Sequence, residues 1–321
     1  MARKAKCGDT FMIRPDCSVI IPAFNAAGFL PAAIASVEAQ ALRNIEVLVL
    51  DDGSTDGTAG WLAHAARARP WLKVFNGGGF GPARARNVLI ENANSDLVAF
   101  LDADDEWLPG KLEREIAHHR AHPGVSFTFT DYLHLDPEGR SLGTAFEYWK
   151  PSFHGRRDDA FAPLENALVT LIGCNLAGTS TVVAKREALR NANGFAEDLP
   201  SAEDWDLWLR LALAGTVAVS TRVTTNYLVR PGSETANRAA RIEAMETILE
   251  RYGADGASRA ARREAKARLA TVRAEAASIA GRHGDALACR LHALLRQPSR
   301  RNAHEALAAA ARLGGIAGRA A

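Results

Sequence analysis

Three places in this 321-residue chain set carboxylates against apolar runs, and those carboxylates suggest chemistry. In Phe100-Leu-Asp-Ala-Asp-Asp105 the acids Asp102 and Asp104 alternate, so on an extended chain their side chains share one face. Hard oxygen ligands at the end of a buried strand suit Mg2+ or Mn2+, which binds one or two carboxylates together with substrate phosphates. Apolar flanks would make that negative charge costly without a cation. The competing reading is a solvated acidic turn capping the helix that begins near Pro109. In Val49-Leu-Asp-Asp-Gly-Ser-Thr-Asp56, Gly53 permits a tight turn, and Ser54, Thr55 and Asp56 are N-cap candidates. Capping leaves Asp51-Asp52 unexplained, and a carboxylate there could accept a hydrogen bond from a nucleobase ring N–H. In Ser201-Ala-Glu-Asp-Trp-Asp-Leu-Trp-Leu-Arg210, helical spacing turns Trp205, Trp208 and Leu209 inward as core. It leaves Ser201, Glu203 and Asp204 at the helix start, where acids are also routine.

A fourth segment, Gly77-Gly-Gly-Phe-Gly-Pro-Ala-Arg-Ala-Arg-Asn87, is a glycine-rich loop running into a helix with Arg84 and Arg86 in its first turn. Cations there oppose the helix dipole, which suggests a nearby anion such as a diphosphate. The alternative is a surface loop with solvated arginines. There is no Gly-x-x-x-x-Gly-Lys-Ser/Thr loop, and Gly77 to Gly81 lack the spacing of a dinucleotide fingerprint.

These residues need a scaffold, and the first half of the chain supplies the pattern of one. Ser18–Ile21, Ile45–Leu50, Leu72–Phe75 and Leu97–Leu101 read as buried strands, with helices near Gly28–Gln40, Gly57–Arg67 and Pro82–Asn92 between them. Such alternation predicts an α/β fold, a mainly parallel central sheet with helices on both faces. Ligands bind such sheets beyond the carboxyl ends of the strands. Strand one runs there into Pro22-Ala-Phe-Asn25, strand two into Asp51–Asp56 and strand four into Asp102–Asp105. Residues Tyr132–Pro163 read as long loops. A strand at Ser180–Ala184, a helix at Glu203–Ala214 and short strands at Val217–Val219 and Tyr227–Val229 follow. Beyond Glu234 the pattern is helical, broken by Gly253, Gly256, Gly281 and Pro298 into three or four helices. The expected organisation is an extension over 1–16, a main domain over 17–233 and a C-terminal helical appendage over 234–321.

Composition is that of a globular protein, 47% hydrophobic and 24% charged, with net charge +2. That net charge argues neither for nor against an anionic partner, and no nucleic-acid partner is expected. From Ala257 onward, 13 Lys/Arg face 4 Asp/Glu, so the tail is basic and could rest on an anionic membrane surface. Cys7, Cys17, Cys174 and Cys289 lack the close pairing of metal or redox motifs and read as reduced thiols. The basic Met1–Lys6 segment is followed by no apolar h-region, and no stretch approaches the ~18 apolar residues of a membrane span. A cytoplasmic location, peripheral at the inner face of a membrane, is expected.

Taken together, the segments resemble the family-2 glycosyltransferases, which share the GT-A fold. The stretches that carry the resemblance are Ser18-Val-Ile-Ile-Pro-Ala-Phe-Asn25, Val49–Gly57, Gly81–Asn87, Phe100–Asp105 and Glu203–Arg210, in the family's order over about Cys17 to Ser233. The resemblance implies an inverting transfer from a nucleotide diphosphate sugar, expected to be UDP-linked, to a glycan or lipid-linked acceptor in cell-surface polysaccharide or glycolipid synthesis. It implies that Pro22, Ala23, Phe24, Asn25 and Asp52 line the nucleoside pocket, with Asp52 facing the base, and that Arg84 or Arg86 lies near the donor. Asp104 would be the direct ligand of Mn2+ or Mg2+, Asp102 would point toward the ribose or metal, and Asp204 would be the catalytic base. One departure stands out. Members often carry His before Pro-Gly-Ser, where this chain has Arg230-Pro-Gly-Ser233, and Arg cannot act as a neutral metal ligand. Acceptor contacts are expected from Tyr132–Thr181, with Trp149, Phe153, His154 and Asn175 as candidates. The rival readings are a catalytically silent nucleotide-sugar or glycan-binding module and a sugar-phosphate nucleotidyltransferase. The latter would want a glycine-rich loop after strand one, where Pro22-Ala-Phe-Asn25 stands instead.

Overall fold

A computed structural model describes residues 14–151, 153–156, 159–230, 237–253 and 259–315. Most of the 1–16 extension, Cys7, Gly256 and the segment Pro231–Ser233 lie outside the described residues.

The parallel core of the sheet forms where the apolar runs are densest. Strands β1 (Cys17–Ala23) and β2 (Ile45–Asp51) are buried almost throughout, and β3 (Leu72–Asn76) and β4 (Leu97–Phe100) flank them, all four parallel. Burial on both sides is what a near-continuous Val/Ile/Leu run requires. Helices α1 (Leu30–Glu38), α2 (Thr58–Ala68) and α3 (Pro82–Asn92) make the crossovers, and proline in the first turn of α1 and α3 suits their starts.

The second half is more irregular than its sequence pattern predicts. In chain order it contains β5 (Glu106–Trp107), α4 (Lys111–Ala121), β6 (Val125–Leu135), β7 (Ser141–Thr144), α5 (Ala145–Trp149), β8 (Ala162–Pro163) and α6 (Ala167–Gly173). A 3-10 turn at Thr179–Thr181 leads into β9 (Val183–Lys185), α7 (Arg186–Asn191), α8 (Glu203–Ala214) and β10 (Thr216–Leu228). The sheet order is β3-β2-β1-β4-β9-β6-β10-β5, with β9 antiparallel to both neighbours and β10 parallel to β6. Three expectations are corrected. Residues Tyr132–Pro163 are not only loops, because β6 runs through Leu135 and β7 and α5 follow. The two short strands at Val217–Val219 and Tyr227–Val229 are one strand whose register shifts between Ser220 and Thr225 hide its continuity. The expected strand at Ser180–Ala184 begins as the 3-10 turn, with its ladder starting at Val183.

Among the described residues four helices follow β10: α9 (Arg238–Gly253), α10 (Arg259–Ile279), α11 (His283–Arg296) and α12 (Arg300–Leu313). The apolar cluster on one face of the sheet, containing Phe100, Phe127, Trp205 and Trp208, continues without a break into Met245, Ile248, Ala265 and Leu269 of α9 and α10. A second cluster on the other face joins α1, α2 and α4 to the sheet. Among the described residues no helix is long and apolar enough to cross a membrane, and Cys17, Cys174 and Cys289 are free.

Candidate active site

The carboxyl ends of β1, β2 and β4 and the start of α8 meet at one edge of the sheet. Beyond β1, Asn25 takes a left-handed backbone (φ 49°) and its side-chain oxygen accepts the Thr55 N–H at 2.8 Å. Ser54 accepts the Asn25 N–H at 2.8 Å, and Asp56 accepts from Ala27 and Thr58. Ser54, Thr55 and Asp56 thus knit the exits of β1 and β2 together. The N-cap position of α2 is Gly57, which has no side chain to offer, and the Asp56 carboxylate takes the first helical N–H, that of Thr58, instead. Phe24 stands out from this turn, 61% exposed.

Asp52 has a definite occupation. Its Oδ1 accepts the backbone N–H groups of Gly79 (2.9 Å) and Phe80 (2.7 Å), and its Oδ2 accepts that of Gly81 (2.8 Å). The carboxylate expected to face a base therefore also folds the glycine loop, with three of its roughly four acceptor directions in use. Gly77 is required there: a Cβ on it would lie 2.3 Å from Asp52 Oδ1 and 2.8 Å from Leu50 Cδ2. Arg84 is exposed at the rim, its guanidinium 4.4 Å from the Phe80 ring centroid.

Arg86, expected near the donor anion, is instead 6% exposed and spent on two carboxylates. Its Nη2 donates to Asp102 Oδ1 and its Nη1 to Glu203 Oε1, both at 2.7 Å. Burial opposes its charge, but Asp102 and Glu203 outweigh that and hold the guanidinium above its ordinary pKa. This bridge ties the end of β4 to the start of α8 across the site. Asp104 Oδ2 accepts from Arg230 Nε at 2.8 Å, and the Arg230 guanidinium lies 4.9 Å from the Phe29 ring centroid. Burial and the Asp102 charge push the Asp104 carboxyl up, while Arg230 opposes them. Asp105 is 1% exposed and accepts from Ser180 Oγ (2.6 Å) and Leu228 N–H (3.1 Å), which anchors β10 and the 3-10 turn to the acidic strand end. Burial, then the charges of Asp102 and Asp104, raise its carboxyl well above the ordinary range.

The donor set suits a divalent ion that keeps other ligands. Among the described residues no three His, Cys, Asp or Glu side chains are placed to hold a metal ion by themselves, which leaves Asp102 and Asp104 as an all-oxygen pair. Mg2+ and Mn2+ commonly bind in this way, with the remaining positions taken by water and phosphate. Charge supports the fit, because among the described residues the ion pairs of Asp102, Asp104, Glu203 and Asp204 are with two guanidinium groups, Arg86 and Arg230. A divalent cation would offset the excess.

Asp204 lies in the first turn of α8, which starts after Ala202 in a left-handed conformation (φ 56°) rare for a residue with a Cβ. Its Oδ2 accepts from Thr179 Oγ1 at 3.0 Å and its Oδ1 from the Trp205 N–H at 2.6 Å. Burial, then the neighbouring Glu203 charge, push its carboxyl up to about 6, with Arg86 opposing. A carboxylate titrating near neutrality is suited to proton transfer.

The acceptor candidates scatter. Trp149 and Phe153 pack against the core, His154 is exposed, and Asn175 Oδ1 is buried without a hydrogen-bond partner. Sequence reasoning missed Thr179, Ser180 and Arg268 of α10, whose guanidinium lies against Trp149 and Trp205. Nothing local marks any of the three. Asp105, the third acid of its segment, was visible but had no role.

Fold and site together define a GT-A α/β protein, an architecture shared with solved transferases. The family model for glycosyl transferase family 2 matches residues 18–166. Two Escherichia coli relatives, WfaP and WfgD, are both described as UDP-Glc:alpha-D-GlcNAc-diphosphoundecaprenol beta-1,3-glucosyltransferase. WfaP is 29% identical, covering 73% of this chain and 85% of its own. WfgD is 36% identical, covering 60% of this chain and 68% of its own. The chain belongs to glycosyl transferase family 2. Some other relatives are longer, and it spans 33–34% of two from Rickettsia. Staphylococcus aureus TarS 1-349 in complex with UDP-GlcNAc superposes with TM-score 0.63 at 19% identity, covering 93% of this chain and 92% of that one. A Pyrobaculum calidifontis mannosyltransferase in complex with GDP-Man and Mn2+ superposes with TM-score 0.63 at 22% identity, covering 94% and 81%.

Proposed function

We propose that this chain is an inverting glycosyltransferase that moves a sugar from a UDP-sugar to a hydroxyl of a lipid-linked acceptor in cell-surface glycan synthesis. The observation that carries the reading is the Asp102–Arg86–Glu203 bridge. It holds the acidic strand end and the helix bearing Asp204 in one frame, as a reaction between donor and acceptor requires. The relatives named for lipid-diphosphate acceptors support the substrate class. Pro22, Ala23, Phe24, Asn25 and Asp52 would surround the nucleoside, with the exposed Phe24 ring offered to the base. Asp104, with Asp102, would hold Mn2+ or Mg2+, which supplies Lewis-acid stabilisation of the departing diphosphate. The acceptor oxygen attacks the anomeric carbon on the side opposite the diphosphate. Its proton passes to the Asp204 carboxylate as the bond to the diphosphate oxygen breaks.

The division into a catalytic unit over 17–233 and an appendage over 234–321 belongs to the same proposal. Leu295 and Leu307, 80% and 71% exposed on arginine-rich helices, would meet an anionic membrane that presents the acceptor. The test is UDP binding by calorimetry, with and without Mn2+, in wild type and Asp104→Asn. UDP should bind tightly only with the ion, and the variant should lose that gain. Equal UDP affinity in both proteins at saturating Mn2+ removes the metal assignment. Incubation with UDP-sugars should slowly release UDP; release of pyrophosphate from sugar phosphate and UTP would point instead to a nucleotidyltransferase.

A further inference from the structure

The charges around Asp204 do not all find partners. Arg268, on α10, is 9% exposed, and its guanidinium is held between two rings, 4.9 Å from the Trp205 centroid and 5.0 Å from that of Trp149. Trp205 directly follows Asp204 in α8, so the arginine sits beside the base. Its Nε and Nη1 have no hydrogen-bond partner. Glu264, one turn earlier on α10, does not serve it: Oε1 accepts from Cys174 Sγ (3.3 Å) and Gln297 Nε2 (3.1 Å). Among the described residues no carboxylate forms an ion pair with Arg268 or with Arg241 of α9. Burial, with Arg241 close by, brings the Arg268 guanidinium down to about 10, and the Asp204 charge opposes this without forming an ion pair. The two rings compensate part of this desolvation through their faces, but they leave the in-plane N–H donors without acceptors. Buried unpaired donors on a guanidinium with no ion-pair partner, close to a second cation, form an arrangement that an anion would complete.

We propose that Arg268, backed by Arg241, is an anion subsite on the acceptor side of Asp204, and that its ligand is a phosphate group carried by the acceptor. The proposal deepens the transferase reading and rests on it for the word acceptor. Two neighbouring cations favour a group with more than one negative charge or several oxygens, and the planar guanidinium edge matches phosphate oxygens. The helices at the end of the chain would then contribute to substrate selection. The subsite would read the acceptor's linkage while Asp204 takes the proton of its hydroxyl.

The test uses the full chain saturated with UDP and Mg2+, so that the donor pocket is filled. Inorganic pyrophosphate and dimethyl phosphate are titrated in by calorimetry, with tryptophan emission as a second signal. Pyrophosphate binding stronger than dimethyl phosphate binding assigns the subsite to a diphosphate ester, and the reverse order assigns it to a phosphodiester. Arg268→Gln should weaken the preferred probe by roughly tenfold to a hundredfold, the loss of charge-assisted hydrogen bonds. Arg268→Lys should retain most of the affinity. Arg241→Gln, which leaves the Trp–Arg–Trp stack in place, should weaken it ~3-fold to tenfold through the lost charge. Retained UDP binding reports an intact fold in each variant. Absence of probe binding at millimolar concentration, displacement of the probe by UDP, or equal affinity in wild type and the Arg241 and Arg268 variants overturns the subsite. Failure of UDP itself to bind overturns the donor reading, and the probe's dependence on Arg268 still decides the anion site.

Discussion

Replacing Asp204 with Asn separates a base from a cap by moving stability and activity in opposite directions. Burial first, and then Glu203, push the native carboxyl up from an ordinary 3.8 to about 6. At ~1.4 kcal/mol per unit, keeping it ionised costs the folded state about 3 kcal/mol. The sign follows from proton binding. Between pH 4 and 6 the native state holds a proton that the unfolded chain has lost, so wild-type stability falls as pH rises through that window. It levels off above the window. An amide does not titrate, and it keeps the local bonds: its oxygen can accept the Trp205 N–H, and its NH2 can donate to Thr179 Oγ1. Asp204→Asn should therefore match wild type below pH 4 and exceed it at pH 8, by roughly 5–10 °C in melting temperature. Sugar transfer should fall by ~100-fold to 10,000-fold, because proton acceptance is gone. In wild type the same group should give kcat/KM an acid limb near pH 6. Melting curves at the two pH values and a transfer assay read both effects. Transfer within a few-fold of wild type, or a variant no more stable than wild type at pH 8, would refute the reasoning.

Two further substitutions probe the frame around the base. Arg86→Gln leaves Asp102 and Glu203 facing each other without their shared cation, and should destabilise by about 3–5 kcal/mol in denaturant titrations. Arg86→Lys should recover little of that, since one ammonium cannot reproduce the fork. Gly77→Ala drives a methyl into Asp52 Oδ1 and should weaken UDP binding by ~10-fold as the glycine loop loses its anchor. Gly60→Ala in α2, with open space around its Cβ, should bind UDP normally and melt slightly higher.

The elements legible in the sequence are those whose burial is symmetric. β1, β2 and β4 are covered on both faces, so apart from Ser18, Glu46 and Asp51 their residues are apolar and the run announces itself. β6 hides for the opposite reason. Ser126, Thr128 and Thr130 are buried, but they read as exposed because their hydroxyls are satisfied by distant partners, Thr128 by Glu115 and Thr130 by Thr224. The site divides along a similar line. Asp102, Asp104 and Asp204 stand at element ends where sequence patterns point. Their pairing with Arg86 and Arg230 depends on contacts such as Arg86–Glu203, 117 residues apart, which no local spacing encodes. Arg86 shows the consequence: its place in the first turn of α3 suggested an anion, and the anions are the protein's own carboxylates. With those pairs drawn, the site's charge accounting leaves two groups over. Among the described residues neither Asp204 nor Arg268 has an ion-pair partner, although the Asp204 charge reaches the guanidinium without contact. A fold that pairs Asp102, Asp104 and Glu203 with two arginines, yet gives these two no ion-pair partner, suits the roles proposed for them. In the proposed reaction Asp204 would take the acceptor's proton and Arg268 would hold its phosphate.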